Sequence, residues 1–314
     1  VKPRRLKEGD LVGLIAPSGY LEDAQIERGV RNLESLGLRV KLGTNLRAMH
    51  GGYAGTVAHR VDDLHAMFRD REVAGIWAAR GGAGASAMLP LIDYGLVRRS
   101  PKVLVGYSDI TALHIAFLRR AGLVTFHGPV SSSTFSDYSA ANLRAVLMEP
   151  EATRSFSGAD ENFERALSQP NFEMRTYREG VATGRLVGGN LSMVCAHLAT
   201  PYGLQPGANL LFLEEVSEAP YRIDRMLTQL RQAEILTRAT GVMLGVFSKC
   251  EANDGEPSLT LREVLEEQMS SLKVPAAYGY SFGHIAQQMT LPVGIRARFD
   301  TRAQTLTLLE AAVQ

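Results

Sequence analysis

Apolar residues follow two alternating rhythms along this chain. Unbroken apolar runs of strand length occur at residues 11–16 (LVGLIA), 73–79 (VAGIWAA) and 103–105 (VLV). Between them, apolar positions recur three or four residues apart. Ile26, Val30 and Leu33 mark one helix; Val57, Val61, Leu64 and Phe68 mark a second; Ile110, Leu113 and Phe117 mark a third. A further strand is expected over roughly residues 39–43. This alternation predicts the α/β class, with an open, mostly parallel sheet covered by helices on both faces. In such sheets ligands bind beyond the carboxyl ends of the strands.

Near Pro150 the rhythm stops. Residues 151–177 are polar and show no sustained period, so we read them as a linker. It separates an amino-terminal domain over residues 1–150 from a carboxyl-terminal domain over residues 178–314. The second part resumes with GRLVGGN at 184–190, a short helix (LSMVCAHLA), and the strand NLLFL at 209–213, which ends in Glu214-Glu215. Ile223, Leu227 and Leu230 stripe an amphipathic helix. The strand GVMLGVF, the helix SLTLREVLEEQMSSL and the strand VPAAYGYSFGH follow, the last leading to His284. A hairpin of GIRARFD with QTLTLLE closes the pattern in period-two alternation.

Composition adds bounds. The 314 residues suffice for about two domains, and 45% hydrophobic with 21% charged content is that of an ordinary soluble protein. A net charge of +1 gives no electrostatic reason to expect nucleic acid or an acidic membrane as partner. Two isolated cysteines, Cys195 and Cys250, fit a reducing compartment, and the cytoplasm is the expected location. The basic opening VKPRRLKEGD leads into an apolar run no longer than a strand, so neither a signal peptide nor a membrane span is expected.

The sharpest chemical candidate is Ser108, in GYSD, where a strand turns into a helix. A serine there stands at the carboxyl edge of the sheet, and the helix amino terminus favours developing negative charge. The hydrolase elbow G-x-S-x-G lacks its second glycine here, since Ile110 occupies that position. The competing reading is a helix cap, a role serine fills well. A nucleophilic serine needs a base near neutral pKa. His284 and His127 both end strands, and His284 is preferred. His50, His59 and His65 read as surface residues, while His114 and His197 read as satisfied core residues. A carboxylate at a strand end can orient the imidazole, and side chains alternate along a strand, so only one of Glu214 and Glu215 can face it. The pattern does not say which. Residues 80–84 (RGGAG) follow a strand and precede a helix; their backbone N–H groups could hold an oxyanion or a phosphate, or the glycines could serve a tight turn. No G-x-x-x-x-G-K-[ST], HEXXH or CxxC is present, so neither nucleotide nor metal is expected as a cofactor.

Taken together, GLIAPSG, RGGAG, GYSDITAL, FHGP, GGNLS, LFLEEVSEAPYRIDRML and GHIAQQMTLPVG, in this order, resemble the LD-carboxypeptidases, serine peptidases that include the microcin C immunity proteins. The resemblance implies a Rossmann-like amino-terminal domain, a smaller carboxyl-terminal domain, and a Ser-Glu-His triad assembled across the two. Position by position it implies Ser108 as nucleophile, Glu214 as orienting carboxylate and His284 as base. It also implies a homodimer and no cofactor. Ala83 departs from the family's pattern, which commonly has an aromatic residue there. The backbone N–H groups of Asp109 and Gly82 are our candidates for the oxyanion hole. A carboxypeptidase needs a cation for the free carboxylate of its substrate, and Arg80, Arg222 and Arg225 are available. The implied reaction is release of terminal D-Ala from murein tetrapeptide. Cleavage of a peptide-nucleotide or aminoacyl-adenylate antibiotic by the same triad is the alternative, and a non-catalytic binding protein on the same scaffold is a third. An antibiotic site would need an aromatic ring for the base; the single Trp77 lies in an expected strand, which favours the murein peptide.

Overall fold

The computed structural model describes residues 1–252 and 257–314. Its strands are β1 (Leu11–Ile15), β2 (Arg39–Leu42), β3 (Val73–Ala78), β4 (Val103–Gly106), β5 (Thr125–His127), β6 (Arg154–Phe156), β7 (Arg175–Arg178), β8 (Val181–Asn190), β9 (Asn209–Glu214), β10 (Gly241–Val246), β11 (Ala276–Gly283), β12 (Leu291–Val293), β13 (Arg296–Asp300) and β14 (Thr305–Leu308). The chain divides into two compact units. The first comprises Val1–Glu151, Thr290–Gly294 and Ala311–Gln314; the second comprises Ala152–Met289 and Ile295–Glu310.

In the first unit six strands run in the order β12-β5-β4-β3-β1-β2. The pairings from β2 to β5 are parallel, and only β12 is antiparallel to its neighbour β5. Its helices are α1 (Asp23–Ser35), α2 (Val57–Arg69), α3 (Ala85–Met88), α4 (Tyr94–Arg99), α5 (Thr111–Ala121) and α6 (Asp137–Leu147). Every residue of β4 is buried, which is why it reads as an unbroken apolar run. Local chemistry sets the helix ends. Thr56 caps α2 by accepting from the His59 N–H, and α5 stops at Gly122, whose φ of +67° suits glycine. Helices α4 and α6 were not visible as periodic stripes. Asp93 and Ser136 cap them.

The second unit holds eight strands in the order β6-β14-β13-β8-β9-β10-β11-β7. Its centre, β8 to β11, is parallel, and the flanking pairs are antiparallel. Helices α7 (Asp160–Ala166), α8 (Leu191–Ala196), α9 (Pro220–Gln232) and α10 (Leu261–Ser270) complete it. The family resemblance implies that this part is the smaller domain; its sheet, with eight strands, is the larger of the two. Residues 151–177, read as a linker, contain β6, α7 and most of β7. These edge strands have three or four residues with partly exposed side chains, too few to register a period.

One backbone approach in this sheet admits only glycine. Gly188 in β8 has a φ of +144°, and a Cβ there would lie 1.8 Å from the Phe212 carbonyl oxygen of β9. Gly188→Ala must therefore part the two strands, and we expect a loss of about 3 kcal/mol or more in urea unfolding, above an ordinary overpacking cost. A change below about 0.5 kcal/mol, the range of neutral surface substitutions, would refute this account.

Candidate active site

Ser108 sits on the turn between β4 and α5, with a left-handed backbone, φ +64°. Such a φ is strained for a residue with a Cβ and marks a sharp elbow. Glycines make room for it. A Cβ on Gly106 would lie 2.9 Å from two Ile110 carbons and 3.0 Å from the Ala78 Cβ. A Cβ on Gly81 would lie 2.8 Å from the Ser108 Cβ. The RGGAG loop therefore lies directly against the serine. Ile110 is buried with φ −65°, an ordinary helical value, so this elbow has no need of a second glycine. The cap positions of the 3₁₀ turn Ser108–Ile110 and of α5 are Tyr107 and Ile110, and neither is Ser108.

The elbow is anchored from beneath and from the side. The Gly106 carbonyl accepts from the Gly128 N–H at 3.1 Å and from the His114 ring Nε2 at 2.8 Å. Burial holds His114 down to about 4, so its ring is neutral near neutral pH. Beside the elbow, Gly82 has a φ of +120°, and the Gly19 N–H donates to the Gly81 carbonyl at 3.2 Å. Gly82 and Asp109, the two expected oxyanion donors, thus lie on loops packed at the same sheet edge as Ser108.

In the second unit Glu214, at the end of β9, and His284, just after β11, form a pair. His284 Nδ1 stands 2.7 Å from Glu214 Oε2. Glu214 is fully buried, and the His284 side chain is 19% exposed. Burial pulls the imidazolium pKa down, but the charge and hydrogen bond of Glu214 outweigh it and hold the pKa above the ordinary 6.5. The charged ring's contribution to stability is therefore fully present below about pH 6.5 and is lost as pH rises through the raised folded value.

The adjacent Glu215 points elsewhere, as strand alternation requires. Its Oε1 accepts from Asn190 Nδ2 at 2.9 Å and the Val216 N–H at 2.8 Å. Its Oε2 accepts from the Ser192 N–H at 2.8 Å and Ser192 Oγ at 2.6 Å. Glu215 thus fastens the start of α8 to the end of β9. Both carboxylates are buried, so neither belongs to a solvated strand end.

The other histidines sort by environment. His127 is fully buried at the end of β5. His65, read from sequence as a surface residue, is buried on α2, where Nε2 accepts from the Asp93 N–H at 2.9 Å. It holds the start of α4, a contact no helical period could reveal. Of the three expected cations, Arg80 is half-buried and donates to the Tyr20 carbonyl at 3.0 Å. Arg222 on α9 pairs with Glu218, which precedes the helix, and Arg222 and Arg225 both lie over the Tyr221 ring.

Residues 12–128 match the LD-carboxypeptidase N-terminal domain, and residues 183–299 match the LD-carboxypeptidase C-terminal domain. The chain belongs to the LD-carboxypeptidase family. It is 38% identical to a probable murein peptide carboxypeptidase of Bacillus subtilis (strain 168), over 99% of this chain and 95% of that one. It is 33% identical to the murein tetrapeptide carboxypeptidase of Pseudomonas aeruginosa, over 90% of this chain and 91% of that one. Among solved structures, MccF in complex with glutamyl sulfamoyl guanosine superposes with a TM-score of 0.89 over 100% of this chain and 99% of that one; at 21% identity this shows the fold.

Three residues at the Ser108 edge of this LD-carboxypeptidase escaped the sequence reading: Ser18, Tyr53 and Arg60. Ser18 lies in the noted turn after β1, but Tyr53 and Arg60 sit on a loop and a helix with no local signal of proximity. Arg60 is 4% exposed, its guanidinium lies 5.2 Å from the Tyr53 ring centre, and its Nε and Nη1 are buried without a partner.

The two carboxylates predict different behaviour. Glu214→Gln removes the charge that outweighs burial, so the His284 pKa, followed by ring NMR, should fall from its raised value. Glu215→Ala strands buried donors and should cost about 3 kcal/mol of stability, while lowering the His284 pKa by less than Glu214→Gln does, since Glu214 is the larger of the two raising charges. An unmoved His284 in Glu214→Gln would overturn the electrostatic assignment.

Proposed function

We propose that this LD-carboxypeptidase hydrolyses the amide between an L-centre and the terminal D-Ala of murein tetrapeptide, with Ser108, Glu214 and His284 as its triad. The observation that carries the reading is the hydrogen bond between the buried Glu214 carboxylate and His284 Nδ1. It fixes the ring through Nδ1, and in this reading Nε2 acts as the base. In this reading Ser108 Oγ bonds to the scissile carbonyl carbon as its proton passes to His284 Nε2. The carbonyl oxygen becomes an oxyanion, received by the backbone N–H groups of Gly82 and Asp109. Collapse breaks the C–N bond, and the departing D-Ala amine takes the proton from His284. Water then attacks the acyl-enzyme, with His284 again as base, and Ser108 is released. Glu214 holds the ring through Nδ1 and stabilises the imidazolium between these steps. For the free carboxylate of the substrate we propose Arg80, which precedes the glycine loop.

The relatives named for murein peptides are the more similar ones, at 38% and 33% identity. The antibiotic reading has less support. The single Trp77 is fully buried, with its indole N–H donating to the Pro129 carbonyl at 2.9 Å, and so offers no platform for a base. Among the described residues no helix is long and apolar enough to cross a membrane. Both cysteines are unbridged and buried. The unbridged cysteines fit a reducing compartment and so support a cytoplasmic location as the finer form of the proposal; the homodimer rests on the family resemblance alone.

Incubated with murein tetrapeptide and an aminoacyl-adenylate analogue side by side, the protein should release D-Ala from the first and leave the second intact. Ser108→Ala should abolish release while the fold persists by circular dichroism. His284→Gln should lower kcat by about four orders of magnitude, the scale of triad removals. Turnover retained in Ser108→Ala would sink the serine mechanism. Greater damage from His127→Gln than from His284→Gln would reassign the base.

A further inference from the structure

The mechanism above uses only the backbone N–H of Asp109. Its side chain is 4% exposed and does separate work. Oδ2 accepts from Ser18 Oγ at 2.6 Å and from the Ala85 N–H at 2.8 Å. Ser18 belongs to the turn after β1, Ala85 closes the Gly81–Gly84 loop after β3, and Asp109 itself follows β4. One carboxylate oxygen therefore ties together three strand-end loops of one sheet.

The middle loop needs such an anchor. Three of residues 81–84 are glycine, and Gly82 and Gly84 have φ of +120° and +126°. This backbone can approach Ser108 closely, but it has little side chain to hold it and much conformational freedom to lose. Its near end is fastened by the Gly19 N–H on the Gly81 carbonyl. Its far end is fastened by Asp109 on the Ala85 N–H. Bonds to a carboxylate are about twice as strong as neutral ones, so this is the firmer of the two.

Arg60 supplies the matching charge. A Cβ on Gly84 would lie 2.3 Å from Arg60 Nη1, so the guanidinium lies against the same loop. Burial lowers the Arg60 pKa, and the Asp109 charge works against that.

We infer that the Asp109 side chain is a positioning residue, which sets the Gly82 N–H against the N–H of Asp109 itself so that both meet one oxyanion. The inference rests on Ser108 being the nucleophile. Asp109 has no contact with substrate in this account. It acts through the loop, and its loss should weaken binding of a tetrahedral anion more than binding of a planar ligand.

The test compares wild type, Asp109→Asn and Ser18→Ala in three measurements. These are the rate of Ser108 labelling by a fluorophosphonate, in which Oγ bonds to phosphorus and fluoride leaves; kcat and KM on murein tetrapeptide; and affinity for a boronic acid analogue against that for the product tripeptide. For Asp109→Asn, labelling rate, kcat and boronate affinity should each fall about 100-fold, near the cost of one oxyanion donor. KM and tripeptide affinity should stay within about 3-fold. Ser18→Ala removes one leg of the staple and should shift the same three quantities by about 5-fold, a weaker form of the same effect. Equal losses for boronate and tripeptide would mean general distortion and overturn the inference, as would wild-type-like labelling in Asp109→Asn. If Asp109→Asn does not fold, Ser18→Ala decides: the selective pattern supports the inference and its absence overturns it. A wild type that labels but does not release D-Ala refutes the proposed substrate and leaves the labelling test intact. A wild type that does not label at all refutes Ser108 as nucleophile.

Discussion

A side-chain carboxylate with no access to water is costly unless a partner meets it. Glu214 is fully buried, its Oε2 lies 2.7 Å from His284 Nδ1, and the surrounding architecture keeps the two in reach. The end of β9 and the end of β11 are separated by β10, all three strands parallel. Gly283, with φ +116°, lets the chain pass close enough that a Cβ there would lie 3.1 Å from the Glu214 Cβ. A strand end, a glycine turn and a buried acid together give one histidine a fixed face.

The Ser108 edge solves a different problem by similar means. There the chain must hold a strained residue and bring bare backbone against it. Glycine at 81 and 106 removes the steric obstacle, but glycine also removes the packing that would hold the loop. The restraint on the loop is returned by the carboxylate of Asp109 and the N–H of Gly19, while His114 and the Gly128 N–H hold the carbonyl of Gly106 beneath the elbow. Close approach and rigidity come from different residues here, which separates what admits a ligand from what orders the site.

Much of this was legible in the sequence, for physical reasons. Fully buried parallel strands have no polar face, so β1, β3, β4, β9 and β10 stand out as apolar runs. Turns that require glycine, such as those around Ser108 and Gly82, carry it visibly. Strand alternation foretold that Glu214 and Glu215 face opposite ways, but not which faces His284, because that depends on a strand some seventy residues on. Ser18, Tyr53 and Arg60 lay outside the reading for the same reason: their roles come from loops meeting at a sheet edge. Strands β6, β7 and β12 have three or four residues each, too short to show a rhythm, and their places follow from the edges they cover.

The path of residues 290–294 has a consequence for how the protein is made. This segment supplies β12, which pairs antiparallel with β5 at the edge of the first unit's sheet, and Gln314 exchanges backbone hydrogen bonds with Pro3 and Arg5. During synthesis the ribosome delivers β1 to β5 long before it delivers β12. Throughout translation of the second unit, the β5 edge beside the future Ser108 elbow stays open and able to pair with any passing strand. The first half of the chain to be made is thus completed late, and the nascent protein depends on prompt arrival of Leu291–Val293 to close that edge.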